Sequence, residues 1–387
     1  MAVSGNDRRI VKKTDRDYQQ IVEKINVTLR DIYSVKVADI LAANDEQWKE
    51  CMMGDAVYVK FTAPRDTGFE GSFYGVKDSG LSRAMGSCSE IVFVPDSTSK
   101  SLLNVYIKDA EGGKIVRISM QTDTEVFKNA IGDSKGRGRE FGFGYELEAS
   151  AGGLAPMLVV PAEGVETSNI VINVPRIYKS GINFTKATEV TTGLISIFGY
   201  NPNTVRQYAN TDGALIYVGE TGSLSLHPQG RIEYKALGEN EGVPIATGGS
   251  GSASAYSVVA GLSEVIEKIY NLSGVKDEKH HAELRITDFR QDGMEFDYFV
   301  DGIRVSMGNG AAVSAVIKNG VLVEFRMWVK AIEKTENATL GQPFLEAVQE
   351  YRRQNPRTKS VTDGELIYNY TGDDNETSAV WNIQGER

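Results

Sequence analysis

Between Ala282 and Val329 the chain alternates apolar and polar residues in five short runs, separated by Gly293, Asp301-Gly302, Gly308-Asn309-Gly310 and Asn319-Gly320. A period of two turns one face of each run toward a core. Asp-Gly and Asn-Gly supply the positive φ angles that tight hairpin turns require. The runs Ala282–Asp288, Met294–Val300, Ile303–Met307, Ala312–Lys318 and Val321–Val329 therefore predict an antiparallel meander. Just before them, Val258, Val259, Leu262, Val265, Ile266, Ile269 and Leu272 recur at helical spacing, with Gly274 where a C-cap glycine belongs. A long helix at Ala255–Leu272 laid across a curled antiparallel sheet is an α+β layer.

The run from Phe198 to Lys235 repeats the theme at shorter range. An aromatic segment leads through Asn201-Pro202-Asn203 into a brief helix expected at Val205, Arg206 and Tyr208. Three strands follow, Ala214–Val218, Ser223–Leu226 and Arg231–Lys235, joined by Gly219–Gly222 and Pro228-Gln229-Gly230. The N-terminal part reads as helices at Asp15–Ile32 and Asn44–Met53, the latter burying Trp48 and Met52. Strands are expected at Ala56–Thr62, Glu90–Pro95, Leu102–Asp109, Lys114–Met120 and Glu140–Leu147, with a helix at Thr122–Ile131. Further on come a strand at Asn169–Pro175, helices at Val190–Phe198 and Pro343–Gln354, and strands at Glu365–Tyr370 and Ala379–Ile383. The fold class is thus multidomain α+β, with antiparallel sheets each packed by one or a few helices.

At 387 residues the chain exceeds one ordinary core. Connections near 149–167 and the flexible stretch 247–254, TGGSGSAS, divide it into an N-terminal α+β domain at 1–160, a middle one at 161–250, and a C-terminal helix-plus-meander domain at 251–387. The 42 basic and 52 acidic residues give a net charge of −10, which argues against a nucleic-acid partner and against an anionic membrane surface. No stretch reaches the roughly 18 apolar residues of a membrane span, and the basic N-terminus lacks the apolar segment of a signal peptide. Cys51 and Cys88 exclude a disulfide framework; whether they pair is open.

The search for chemistry nominates no catalytic, cofactor-binding or metal residue. His280-His281, beside Asp277, Glu278 and Glu283, point to opposite faces of an extended chain and read as an exposed turn. His227 sits at a hairpin. Gly136-Arg137-Gly138 leads into a strand and lacks the lysine and helix of a phosphate loop. Asp212, Asp301 and the turn Gly372–Asn375 show no calcium-loop spacing. The basic cluster Arg352, Arg353, Arg357 and Lys359 reads as a solvated helix end. Tyr208, Tyr217, Tyr234 and Trp381 either pack in cores or line a carbohydrate groove.

VRQYANTDGALIYVGETGSLSLHPQGRIEY resembles the central part of the YycH family, accessory regulators of the WalK (YycG) sensor histidine kinase in Gram-positive bacteria. The shared pattern is an aromatic residue before Val205-Arg206, then Tyr208, Asp212-Gly213 and a tyrosine-bearing strand. SCSEIVFVPDSTSKSLLNVYIKD is similar to that family's N-terminal sheet. FDYFVDGIRVSMGNGAAVSAVIKNGVLVEFRMW, with Val380-Trp381, is similar to its last domain, shared with YycI. The resemblance implies a non-catalytic, extracytoplasmic regulator anchored by an N-terminal helix outside this sequence. Its partners would be a WalK-like kinase controlling cell-wall metabolism and a YycI-like co-regulator, engaged by protein contacts. Two other readings stand beside it: a module binding a ligand or cell-wall glycan, and a hydrolase built on His227 or His280 with carboxylates.

Overall fold

A computed structural model describes residues 1–76, 78–109, 113–147, 153–175, 188–211, 213–245, 255–275, 281–290, 292–308, 310–370, 372 and 375–386. They form two compact units. The first gathers Met1–Val165, Gln342–Glu365 and Trp381–Arg387; the second gathers Glu166–Gly341 and Leu366–Val380. Neither is one continuous stretch of chain, which differs from three consecutive domains at 1–160, 161–250 and 251–387. The expected linker at 247–254 lies outside the described residues.

The first unit is built on a seven-stranded sheet: β1 (Ala2–Ser4), β2 (Asp7–Arg9), β3 (Ile40–Ala43), β4 (Ala56–Asp66), β5 (Ser87–Pro95), β6 (Leu102–Lys108) and β7 (Ile115–Gln121), in the order β2-β1-β4-β5-β6-β7-β3. Alternation along β5 gives this sheet two buried faces. Ile91 and Phe93 join a core with α1 (Tyr18–Tyr33) and α5 (Glu125–Gly132), where Phe127 stacks on Phe93 at 5.0 Å. Val92 points the other way, into a core with Trp48, Tyr58, Phe141 and Phe143. Trp48 comes from α2 (Asp45–Met53), whose start is fixed by a capping box between Asn44 and Gln47. Two short helices, α3 (Thr67–Phe73) and α4 (Gly80–Ala84), complete this part.

The strand expected at Glu140–Leu147 is shorter: β8 (Phe141–Phe143) pairs with β9 (Val159–Pro161), and Gly144–Glu146 make a single tight turn. Close approach explains the break. A Cβ on Gly144 would lie 2.2 Å from the Ala155 carbonyl oxygen, so the chain bends there around the segment it bonds. A third cluster of this unit packs Leu154, Leu158 and Val160 against Phe344, Val348, Val361 and Ile383.

In the second unit, β10 (Glu166–Asn173) starts a small sheet with two later strands, while β11 (Arg206–Ala209), β12 (Leu215–Val218), β13 (Gly222–Leu226), β14 (Arg231–Ala236) and β15 (Val243–Pro244) open a large one. The large sheet continues through β16 (Glu283–Arg290), β17 (Gly293–Val300), β18 (Ile303–Ser306), β19 (Val313–Lys318) and β20 (Val321–Trp328). The two extra strands of the small sheet are β21 (Ala331–Leu340) and β23 (Glu376–Thr377); β22 (Ser360–Asn369) and β24 (Ala379–Glu386) extend the large one. The five expected strands are present, with positive φ at Asp301, Gly302, Asn319 and Gly320 as hairpin turns require, but they depart from a simple meander: β19 pairs with β17 and β20, and β18 pairs with β17 and, in parallel, with β22.

Antiparallel pairing of β14 with β20 explains why residues 161–250 are not a separate domain. One core takes Leu194 and Ile195 from α6 (Glu189–Ile197), Leu262, Ile266 and Ile269 from α7 (Ala255–Ser273), and Leu224, Ile232, Phe325 and Met327 from the sheet. The brief helix expected at Val205–Tyr208 is instead edge strand β11, paired Arg206↔Val218 through Ala209↔Leu215. Only the single turn before it is helix-like: Thr204 and Val205 donate their amides to the Asn201 carbonyl. The last helix, α8 (Phe344–Gln354), belongs to the first unit.

Candidate functional site

A cavity of about 890 Å³ lies within the first unit. Its floor follows from strand register. Tyr58 and Lys60 share a face of β4; Glu90 on β5 pairs opposite Lys60, and Lys108 on β6 pairs opposite Glu90. The Tyr58 hydroxyl donates to Glu90 Oε2 at 2.6 Å, and Lys108 Nζ lies 3.8 Å from Glu90 Oε1. Lys60 is ion-paired with Asp363, contributed from the first residues of β22. Lys108 Nζ also stands 5.6 Å from the centre of the Trp48 ring. Met157, Val159 and Trp381 also line the cavity. Trp381 is fixed edge-on to Phe344, centroids 4.9 Å apart, and its indole N–H donates to the Gln342 carbonyl at 2.9 Å.

Two lysines and two carboxylates thus neutralise one another across this floor. Burial, followed by the Glu90 charge and hydrogen bond, pushes the Tyr58 hydroxyl far above its ordinary range, so it stays protonated and can donate. The constellation is arranged to hold hydrogen-bonding groups in place.

The residues that drew attention in the sequence are spread over both units. His227 closes the β13–β14 hairpin: its amide donates to the Arg231 carbonyl and its Nε2 lies 3.2 Å from Glu233. His281 is exposed, donates its amide to the Ile332 carbonyl and accepts from the Lys334 amide at Nδ1. Asp277, Glu278, His280, Asp212, Asp373 and Asp374 lie outside the described residues. Asp301 occupies its predicted turn and pairs with Lys334. The amides of Gly136 and Gly138 both bond the Asp7 carboxylate, at 2.9 and 3.2 Å, so the glycine-rich loop cradles an anion of its own chain. Arg352 donates to the Gly153 carbonyl.

Tyr217 and Tyr234 are core residues, Tyr208 is half exposed on β11, and Trp381 belongs to the other unit. The four do not line one carbohydrate groove. Cys51 and Cys88 are free, buried thiols in separate clusters of the first unit.

The sheet edges differ in character. At β2 the Arg8 amide donates to the Gly138 carbonyl and its carbonyl accepts from the Glu140 amide, which closes that edge. At the opposite edge β3 reads Ile-Leu-Ala-Ala, with no charge or proline, and Leu41 is 49% exposed. An uncharged edge strand is a template for pairing with another chain.

Neither a protein-family profile nor a curated protein sequence matches this chain. Its structure is similar to the crystal structure of YycH from Bacillus subtilis, with a TM-score of 0.59 and 13% sequence identity over 99% of this chain and 92% of that one. The protein therefore has the YycH fold, which covers nearly the whole of both chains.

Proposed function

We propose that the chain is a non-catalytic, extracytoplasmic regulator of a two-component sensor histidine kinase, working by protein–protein contacts to tune cell-wall metabolism. The supporting observation is the fold likeness to YycH over 99% of this chain. A shared domain would be weak support, because single folds host many functions. Correspondence across two interwoven units is a more demanding match, and the sequence patterns at 87–109, 205–234 and 296–328 resemble the same family. The partners in this reading are a WalK-like kinase and a YycI-like co-regulator, and the full-length protein is held at the outer face of a Gram-positive membrane by an N-terminal anchor. The uncharged edge at β3 is suited to such contacts.

The test is binding of the purified chain to the extracytoplasmic sensor domain of the WalK-like kinase and to the YycI-like protein of the same genome. Deletion of the gene, with kinase phosphorylation measured in the cell, accompanies it. A complex with either partner and a shift in phosphorylation are expected. Absence of both complexes together with unchanged phosphorylation overturns the reading.

A further inference from the structure

We propose that the cavity of the first unit is a binding site for an uncharged oligosaccharide. The inference stands apart from the regulatory reading and rests on the cavity alone. Its volume of about 890 Å³ falls in the range of built small-molecule sites and admits more than one sugar ring.

Charge excludes the first alternatives. Lys60 is committed to Asp363, and Lys108 and Tyr58 to Glu90, so these four charges cancel one another; Asp45, Glu46 and Lys49, which also line the cavity, are exposed to water. A charged ligand group would meet both signs side by side on this floor, so the attraction of one is offset by the repulsion of the other. A purely apolar ligand would strip water from four charges and return nothing.

What fits is a neutral group rich in both donors and acceptors. An ammonium has three donors and a carboxylate about four acceptor positions. Each pair on this floor uses only part of that capacity. Adjacent donor–acceptor pairs match neighbouring hydroxyls, each of which accepts from one group and donates to the next. Trp48, which also lines the cavity, is 1% exposed and its indole N–H has no acceptor among the described residues. Met157, Val159 and Trp381 give the C–H faces of a sugar an apolar wall, and the bond from Trp381 to Gln342 keeps that ring in position.

The experiment is calorimetric titration of the whole chain with the β-1,4-linked tetramer of N-acetylglucosamine. The cationic glucosamine tetramer, anionic tetragalacturonate and an uncharged serine–asparagine peptide serve as controls. Saturable binding of the neutral sugar is expected, with each control weaker by about tenfold or more. Trp381→Ala should cost about tenfold in affinity. Because Trp381 packs on Phe344 and its loss could disturb folding, Lys60→Gln combined with Asp363→Asn is the second variant. It keeps the net charge, removes one pair from the floor, and should weaken the sugar by a similar factor. No saturable binding up to about 10 mM, tighter binding of any control, or unchanged affinity in both variants overturns the proposal.

Discussion

Arg9 is 3% exposed and reaches Asp17 with two hydrogen bonds of 2.7 Å and Asp15 with one of 2.9 Å. The Arg9 hydrogen bonds hold the Asp17 carboxyl below its usual range, against the opposing effect of burial; the Arg8 guanidinium does the same for Glu146. A carboxyl depressed in the folded state contributes stability that is complete above its unfolded pKa, near 4, and is lost as pH falls through the folded value. The melting temperature should therefore fall in acid. Arg9→Met should cost about 1–3 kcal/mol at pH 7 and flatten the acid limb of the profile, as read by melting temperature from pH 7 to 3. Gly261 makes the opposite point about local propensity. Alanine favours a helix interior by about 1 kcal/mol over glycine, yet a Cβ here would lie 1.8 Å from the Ile245 carbonyl oxygen. Gly261→Ala should thus destabilise, by about 1–3 kcal/mol net, in denaturant titration.

At the scale of elements, β3 is where contact with another chain is most easily tested. Leu41→Lys places a charge on the exposed edge without touching a core, so stability should change by less than about 0.5 kcal/mol. Binding to the kinase sensor domain should weaken by about tenfold if β3 pairs with it. Calorimetric titration beside a melting curve separates the two effects. The elements also show what a sequence makes legible. Helix α7 and the strands β16–β20 were plain, because seven apolar residues kept a strict helical spacing and Asp-Gly and Asn-Gly marked the turns; the pairing of β19 with β17 was not. Strand β21 was missed because Glu333 to Leu340 is mostly polar: its exposed stretch pairs with β10 and shows no apolar alternation. Strand β11 was misread because all four of its residues are exposed, which leaves no buried face to betray the period. The cavity was invisible for another reason. Tyr58 and Lys60 can be placed on one face by counting, but Asp363 joins them from about 300 positions away, through pairing that no local pattern reports.

At the scale of the whole molecule, the division into units makes a prediction that consecutive domains would not. A fragment ending at Val165 contains the seven-stranded sheet and its two cores, but lacks Phe344, Val348, Val361 and Ile383, which cover Leu154, Leu158 and Val160. It should keep the strand content of the sheet by circular dichroism. Residues 154–161 should lose hydrogen-exchange protection relative to the full chain. Supplying residues 342–387 in trans should restore none of it unless the second unit is also present, since β22 and β24 continue into that unit.

This interleaving also sets a timetable. A chain leaving the ribosome at roughly 5–20 residues per second presents its first sheet early, yet the residues that seal the first unit are among the last to be made. The second unit has its long helix and most of its strands before then. The molecule is thus finished at the end where it was begun, and until synthesis is nearly over the nascent N-terminal half carries an uncovered apolar flank at Leu154–Val160, a natural place for a holding chaperone to act.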